Sequence, residues 1–532
     1  MKTCVKVLAA GIIGVVVVAP SVFGVISEPI RVEGGLISGT PAWAYGVRLY
    51  RGIPFAAPPV GNLRWRPPQP VVPWEGVRAA DRFSPACMQL PRPQDSAGWM
   101  DGLVPISEDC LYLNVWTPAK AANDRLPVMV WLYPGAWRVN SAAIPLWDGS
   151  SLAKTGVVVV SPNYRLNVFG FLRLKDITQG RIPSTGNEGI LDQVAALKWV
   201  RDNIETFGGD PSNVTIFGQS AGGSSVCGLL SMPGAKGLFH KAICQSGSAH
   251  FPQQRNEANN YSEYFLRQLG VKGNDSSALI ALPMERVLGA YEESLTLRKS
   301  VRGPMPVVDG EVFLAPPIER IKEGSADGIP LMAGMTTEEM RILQVNDPMI
   351  KDLVEGHMFG RFRKLMPDWD MTATVEAYRK LLVRRGLPTM PTELYMAIIS
   401  ARSFFIPTTR MLEVHRRRHN PAYCYLFTWQ SHSSGMTLGA CHLMELGFLF
   451  GTYQTDFFGS RRLADALSRR MQDAWATFAR TGNPSCEEVG EWPVYGKRRE
   501  TMIFGEERRT ENAPLEEERL IWDSTPDSMF GW

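Results

Sequence analysis

Short, continuous apolar runs alternate along most of the chain with stretches in which apolar residues recur every three or four positions. Val128–Leu132 and Val157–Ser161 are runs of the first kind, too short for helices, and they predict strands buried on both faces. Val214–Phe217, Leu331–Met335 and Tyr423–Trp429 are further strand candidates. Between the second and third lies Gly189–Phe207, where Leu191, Val194, Ala195, Leu197, Lys198 and Val200 predict a helix with one mostly apolar face. Strand–helix alternation of this kind predicts an α/β fold, with a large, mostly parallel sheet flanked by helices on both faces. Residues 255–300 and 350–420 break the rhythm; both are mainly helical in pattern and predict cap or subdomain insertions over the sheet. A last helix, roughly Arg462–Arg480, stops at Thr481-Gly482-Asn483-Pro484. No repeat or low-complexity linker divides the chain, so residues 25–532 are expected to form a single large domain.

The one strongly apolar segment is N-terminal. Lys2 and Lys6 precede an apolar run from Val7 to Ala19, then Pro20. Such a run is too short to cross a hydrocarbon core of ~30 Å comfortably. The pattern is that of a secretory signal peptide over residues 1–24, cleaved near Gly24, and it predicts a secreted or periplasmic protein with no stable membrane span after cleavage. A mean hydropathy of −0.10 excludes a polytopic membrane protein. Of the 532 residues, 56 are Lys or Arg and 53 Asp or Glu, a net charge of +3, with no concentrated basic face of the sort nucleic-acid binding needs. The 45% hydrophobic and 20% charged content is that of a folded globule, and the 49 Gly and 39 Pro have no period, which excludes collagen. Eight cysteines become seven without Cys4, so at least one thiol is not paired within the chain. Cys87 and Cys110 lie in polar, loop-like sequence and are the disulfide candidates, whereas Cys227, Cys244, Cys424 and Cys441 lie in apolar stretches and read as small buried residues.

Gly218-Gln219-Ser220-Ala221-Gly222 follows a strand and opens a stretch rich in small residues. A tight strand–turn–helix needs small flanking residues, lifts the central hydroxyl above the carboxyl end of the sheet and aims free helical amides at an anion. A serine so placed needs a general base, and the base needs an orienting carboxylate, in the chain order Ser, acid, His. The seven histidines of the chain are His240, His250, His357, His415, His419, His432 and His442. His442, in the small-residue loop Gly439-Ala440-Cys441-His442 after a strand, is the candidate base, with His432 its rival in a Ser/Gly-rich loop. His415 and His419 are spaced as zinc ligands could be, but they lack the H-E-x-x-H pattern and flank Arg416–Arg418, so a solvated basic face is expected there. The acid is expected after the strand Leu331–Met335, where Glu338 and Glu339 both qualify and periodicity does not choose between them. The amide of Ala221 and those of the loop after Val128–Leu132, Tyr133-Pro134-Gly135-Ala136-Trp137, are the candidate oxyanion donors.

From about Arg51 to Trp522 the chain resembles the type-B carboxylesterase family of α/β-hydrolases, the group of para-nitrobenzyl-esterase-like enzymes, carboxylesterases and cholinesterases. The resemblance is carried by Arg51-Gly52-Ile53-Pro54-Phe55-Ala56, Pro58-Pro59-Val60-Gly61-Asn62-Leu63-Arg64, Glu108-Asp109-Cys110-Leu111-Tyr112-Leu113-Asn114-Val115, Asn163-Tyr164-Arg165, Gly170-Phe171-Leu172, Phe207-Gly208-Gly209-Asp210-Pro211, Gly218–Gly223 and Phe478-Ala479-Arg480-Thr481-Gly482-Asn483-Pro484. It implies the α/β-hydrolase fold and a Ser-Glu-His triad of Ser220, Glu339 and His442. Glu339 rather than Glu338 falls at the sixth position of the family's G-x-x-x-x-E motif, counted from Gly334. It also implies oxyanion donors at Gly135, Ala136 and Ala221, a disulfide between Cys87 and Cys110, and ion pairs of Arg64 with Glu108 and Arg165 with Asp192. Three positions depart from the family's pattern: Pro134 within the oxyanion loop, Asn140 where glycine is usual, and Met340 after the acid. Cholinesterases usually carry glutamate before the nucleophile, where this chain has Gln219.

These features predict a secreted serine carboxylic-ester hydrolase that works through an acyl-enzyme on a small-molecule ester. No metal or organic cofactor is called for, and a monomer or homodimer is expected. The alternative from another class is a catalytically dead adhesion protein on the same fold. Trp99, Trp137, Phe251 and Phe448 are candidates for an apolar substrate pocket or, equally, for core packing.

Overall fold

The computed structural model describes residues 26–531, apart from 27, 44–45, 92–103, 251–252, 298–302, 344–346, 431–437, 454–457 and 459–460. The expected signal segment, Trp99, Phe251 and His432 therefore lie outside the described residues. Eleven strands form the main sheet: β1 (Thr40–Trp43), β2 (Val47–Pro54), β3 (Tyr112–Thr117), β4 (Leu126–Leu132), β5 (Val158–Pro162), β6 (Gly209–Gln219), β7 (Lys241–Gln245), β8 (Leu331–Thr336), β9 (Ala422–Phe427), β10 (Glu500–Phe504) and β11 (Arg508–Asn512). Their spatial order is β1-β2-β3-β5-β4-β6-β7-β8-β9-β10-β11. The pairs from β5 through β10 are parallel, and the flanking pairs are antiparallel. β4, β5, β8 and β9 are buried almost throughout, which is why they read as mainly apolar runs rather than as alternating ones; β7 is equally buried, but Lys241 and Gln245 at its ends hid it from the sequence pattern.

Helices α1 (Glu188–Asn203), α2 (Ala221–Ser231), α3 (Pro391–Ser400), α4 (Ile406–Arg417), α5 (Met444–Phe450) and α6 (Arg461–Thr481) pack around this sheet. α1 corrects the expected apolar face. Leu191 and Ala195 are only partly buried and Lys198 is exposed, while Asp192 and Gln193 are fully buried. The helix is enclosed on most of its circumference, and its inward polar positions are paired: Asp192 takes a bidentate ion pair from Arg165 at 2.8 and 2.7 Å, and Gln193 donates to Ser225. Burial of charge requires such pairing, and the Arg165–Asp192 pair is the one the resemblance implies. α4 corrects the expected basic face in the same way. His415 is fully buried beside Met411, Leu412 and Val414, and its Nε2 meets the Ile329 carbonyl at 2.8 Å; burial lowers its pKa to about 4. Arg417, Arg418 and His419 remain outside.

Both helical insertions build local cores. In the first, Arg255–Leu269 and Met284–Leu297 bury Tyr261, Phe265, Leu266 and Tyr291 against Trp65, Phe169 and Leu174. In the second, Glu355–Leu365, Met371–Arg384 and α3 bury Phe362, Tyr378 and Tyr395 together with Trp522 and Phe530. Arg64 ties the first insertion to the sheet domain. It forms a bidentate pair with Glu108 at 2.6 and 2.5 Å and donates to the Leu282 carbonyl at 2.6 Å. Among the described residues no helix is long and apolar enough to cross a membrane.

Candidate active site

The site begins where β6 turns into α2. Ser220 holds φ 57° and ψ −123°, a combination costly for any residue with a side chain, about 1–3 kcal/mol. Its amide donates to the Gln245 carbonyl at the end of β7 (2.9 Å), and its carbonyl accepts from Ser224 (2.8 Å). The glycines around it are required by space. A Cβ on Gly218 would stand 2.6 Å from the Gly222 carbonyl group, and one on Gly222 would overlap the Leu132 carbonyl of β4. A turn this close to a neighbouring strand is stable only with hydrogen at those positions, and it leaves the Ala221 amide, first in α2, without an intrahelical acceptor.

The loop after β4 begins against the same turn: a Cβ on Gly222 would stand 2.9 Å from the Tyr133 carbonyl. Gly135, Ala136 and Trp137 all take positive φ, at 130°, 54° and 56°. Neither the Gly135 nor the Ala136 amide donates to an acceptor among the described residues. The Gly135 carbonyl instead accepts from Arg138 (2.9 Å) and Val139 (3.2 Å), which curls the loop back on itself. Two of the three departures from the family's pattern meet here. Asn140, at φ 89°, donates from its side-chain amide to the Pro134 carbonyl at 2.7 Å, and its backbone is clasped by Gln89 through bonds of 2.8 and 2.9 Å. Proline lacks an N–H but keeps its carbonyl, and the carbonyl is the group this loop uses. Gln89 follows Cys87, which is bonded to Cys110 as a disulfide. Tyr133, at the loop's entry, is buried and stacked on Tyr164 with ring centroids 4.3 Å apart.

The acid and the imidazole come together from β8 and β9. Of the two glutamates open to choice in sequence, Glu339 is the one directed inward. Its Oε1 accepts from the Thr336 amide (2.8 Å) and the Ser246 hydroxyl (2.6 Å), and its Oε2 lies 2.5 Å from His442 Nδ1. Glu338 faces the loop instead, accepting from the Ala440 amide at 2.8 Å and pairing with Arg341 at 3.2 Å. The His442 amide adds a bond to the Glu339 carbonyl at 3.1 Å, so backbone and side chain hold the two residues in one relative pose. Phe404 lies against the imidazole with centroids 4.8 Å apart; it belongs to a π-helical turn, Ala401–Phe405, between α3 and α4. Such turns recur at functional sites because they push one side chain out of helical register. Gln219, beside Ser220, reaches both imidazole nitrogens at 3.3 Å. The third departure, Met340, donates its amide to Ser400 at 3.0 Å on α3.

One turn after His442, Glu445 is fully buried. Burial, reinforced by the nearby Glu339 charge, pushes its pKa up to about 8. Its Oε1 meets Gln245 at 3.5 Å, and Gln245 in turn accepts from the Trp475 indole at 3.2 Å. Of the aromatics left open between pocket and core, Trp137 is buried and donates its indole N–H to Ser225 at 3.0 Å, and Phe448 is buried among Phe427, Trp429, Tyr453 and Phe458. Ser246, Gln89 and Phe404 escape sequence reasoning because each acts across a fold-level contact. Gln219 was within reach, as the immediate neighbour of the candidate nucleophile. Among the described residues no group of three or more His, Cys, Asp and Glu side chains is placed to hold a metal.

Residues 27–522 match the model of the Carboxylesterase family. The chain is 36% identical over 513 residues to the para-nitrobenzyl esterase of Bacillus subtilis (strain 168), covering 92% of this chain and 97% of that one. It is 33% identical over 522 residues to carboxylesterase 5A of Canis lupus familiaris, covering 92% and 88%. Among solved structures, the Geobacillus stearothermophilus carboxylesterase EST55 at pH 6.2 superposes with a TM-score of 0.81 at 36% identity, covering 92% of this chain and 99% of that one.

Proposed function

The chain belongs to the carboxylesterase family and is a carboxylic ester hydrolase, and on that premise we propose that Ser220, His442 and Glu339 are its nucleophile, base and orienting acid. The observation that carries this reading is the 2.5 Å contact of His442 Nδ1 with a buried Glu339, together with the contact of Gln219, the residue before the strained Ser220, to the same imidazole. A serine hydroxyl is a weak nucleophile near neutrality, so removal of its proton as it attacks supplies much of the rate. His442 takes that proton while Ser220 Oγ adds to the ester carbonyl. Glu339 keeps Nδ1 protonated and stabilises the imidazolium that forms. The carbonyl oxygen, now an anion, is received by the amides of Gly135, Ala136 and Ala221. Each such donor is worth about 3–4 kcal/mol in the transition state, because it is already oriented when the charge develops. The alcohol leaves with the proton from His442; water then repeats the sequence on the acyl-enzyme and releases the acid.

Export belongs to the same proposal. The basic-then-apolar pattern of residues 1–24 supports it, and so does the Cys87–Cys110 disulfide, a bond that persists in oxidising compartments.

Hydrolysis of a series of p-nitrophenyl esters of increasing acyl length, by the wild type and by Ser220→Ala, tests the assignment. Loss of turnover by about 10⁴–10⁶ is expected in the variant. Turnover that survives the substitution refutes it.

A further inference from the structure

The residue before the candidate nucleophile has an odd place in the site. Gln219 Nε2 is 3.3 Å from His442 Nδ1 and 3.3 Å from His442 Nε2. The two ring nitrogens point in divergent directions, and in the ring plane an atom equally close to both would collide with Cε1. The amide therefore lies over the face of the imidazole. Nδ1 is already engaged in the ring plane by Glu339 at 2.5 Å, so Gln219 does not compete for that bond. Phe404 supplies a second surface against the ring, at 4.8 Å between centroids. Gln219 is itself fully buried, and its Oε1 has no hydrogen-bond partner among the described residues.

The titratable groups around the imidazole make the absence of charge on Gln219 matter. Glu339 approaches from the loop after β8. Glu338 stands beside it, turned to Ala440 and Arg341. Glu445 and Cys441 share the histidine's own segment, and Tyr425 on β9 lies near both Glu339 and Glu445. The charged member of the π-helical turn, Arg402, donates to the Gly531 carbonyl. The neighbourhood thus already holds two buried carboxyl groups, and a third against the ring face would strengthen the hold on the imidazolium.

We propose that Gln219 is a positioning residue for the general base: its uncharged amide, laid on the face of His442, fixes the plane of the ring and keeps a further negative charge off it, so that ester hydrolysis extends to mildly acidic pH. The inference rests on the reading of His442 as the base. It concerns what sets the working range of that base, not its identity.

The test is the pH dependence of kcat/KM for p-nitrophenyl butyrate. It is measured on the full chain as wild type, Gln219→Glu and Gln219→Met, with Ser220→Ala alongside. Gln219→Glu keeps shape and adds charge; its acid limb is expected to move upward by about one pH unit or more. Gln219→Met keeps length but loses the amide; its acid limb is expected to stay put while kcat falls, by up to about a hundredfold, at little-changed KM. An acid limb that does not move in Gln219→Glu overturns the inference. If that variant does not fold, a wild-type kcat in Gln219→Met overturns it instead. Activity persisting in Ser220→Ala would sink the triad reading itself, whereas an inactive Ser220→Ala with an unmoved Gln219→Glu profile sinks only the role of Gln219.

Discussion

Asn140 offers the sharpest test of how the loop after β4 is held. Its side-chain amide donates at 2.7 Å to the Pro134 carbonyl, and both groups are buried. Replacing Asn140 by glycine relieves the positive φ of 89° and leaves the two Gln89 bonds to its backbone in place. The substitution therefore isolates one hydrogen bond. Leaving the Pro134 carbonyl without its partner costs about 1–3 kcal/mol, partly offset because glycine carries no strain at that φ. The effect on catalysis should exceed the effect on stability. The bond fixes the peptide that precedes Gly135, and an amide that drifts from the proposed oxyanion position loses most of an interaction worth about 3–4 kcal/mol. A fall in kcat of about tenfold to a hundredfold is expected, with KM little changed, because the ground-state ester does not yet carry the charge. Steady-state kinetics on p-nitrophenyl acetate read kcat, and a thermal melt reads stability. A variant that melts earlier yet keeps full kcat would show that the Asn140–Pro134 bond supports the loop without setting donor geometry, and the argument would fail.

Two further outcomes follow from the same network. Ser246→Ala removes the 2.6 Å bond to Glu339 Oε1 and leaves a buried carboxylate one donor short, so kcat is expected to fall about tenfold while Ser220 remains reactive to an organophosphate; an unchanged kcat would mean that the Thr336 amide alone orients the acid. Burial, reinforced by the nearby Glu339 charge, pushes the Glu445 carboxyl up from its ordinary 4.5 to about 8 in the folded chain. The folded state therefore holds a proton that the unfolded state has lost, and the stability this contributes is present below about pH 4.5 and is lost as pH rises toward 8, by at most about 5 kcal/mol. Glu445→Gln should flatten that slope and raise the melting temperature relative to wild type at pH 8 more than at pH 5; equal differences at the two values would contradict the assignment.

What could be read in sequence and what could not divides along a physical line. Most of the parallel strands were legible as runs such as Val128–Leu132 because a strand buried on both faces needs no polar position; Lys241–Gln245 and Glu500–Phe504, which carry polar residues, were not. The tight turn at Gly218–Gly222 was legible because close backbone approach leaves room only for hydrogen. Periodicity misread the inner face of α1 and the burial of His415, since a polar side chain enters a core only when a partner waits there; for Asp192 the family resemblance, not the pattern, supplied the partner. Those partners, Arg165 for Asp192 and the Ile329 carbonyl for His415, come from other elements. Glu338 and Glu339 are chemically identical neighbours. Periodicity could not separate them, and the preference for Glu339 came from the spacing of a motif. The partners decide it physically: Ser246 and His442 wait on one side of the loop, Ala440 and Arg341 on the other. The chain by itself determined the elements, their order and the serine's turn, which depend on local sterics and on the period of burial. Only the tertiary structure decided that Asn140 meets Pro134 and that Gln219 lies on the face of His442. Those contacts join residues distant along the chain or turn on the direction of one side chain, and no local pattern encodes either.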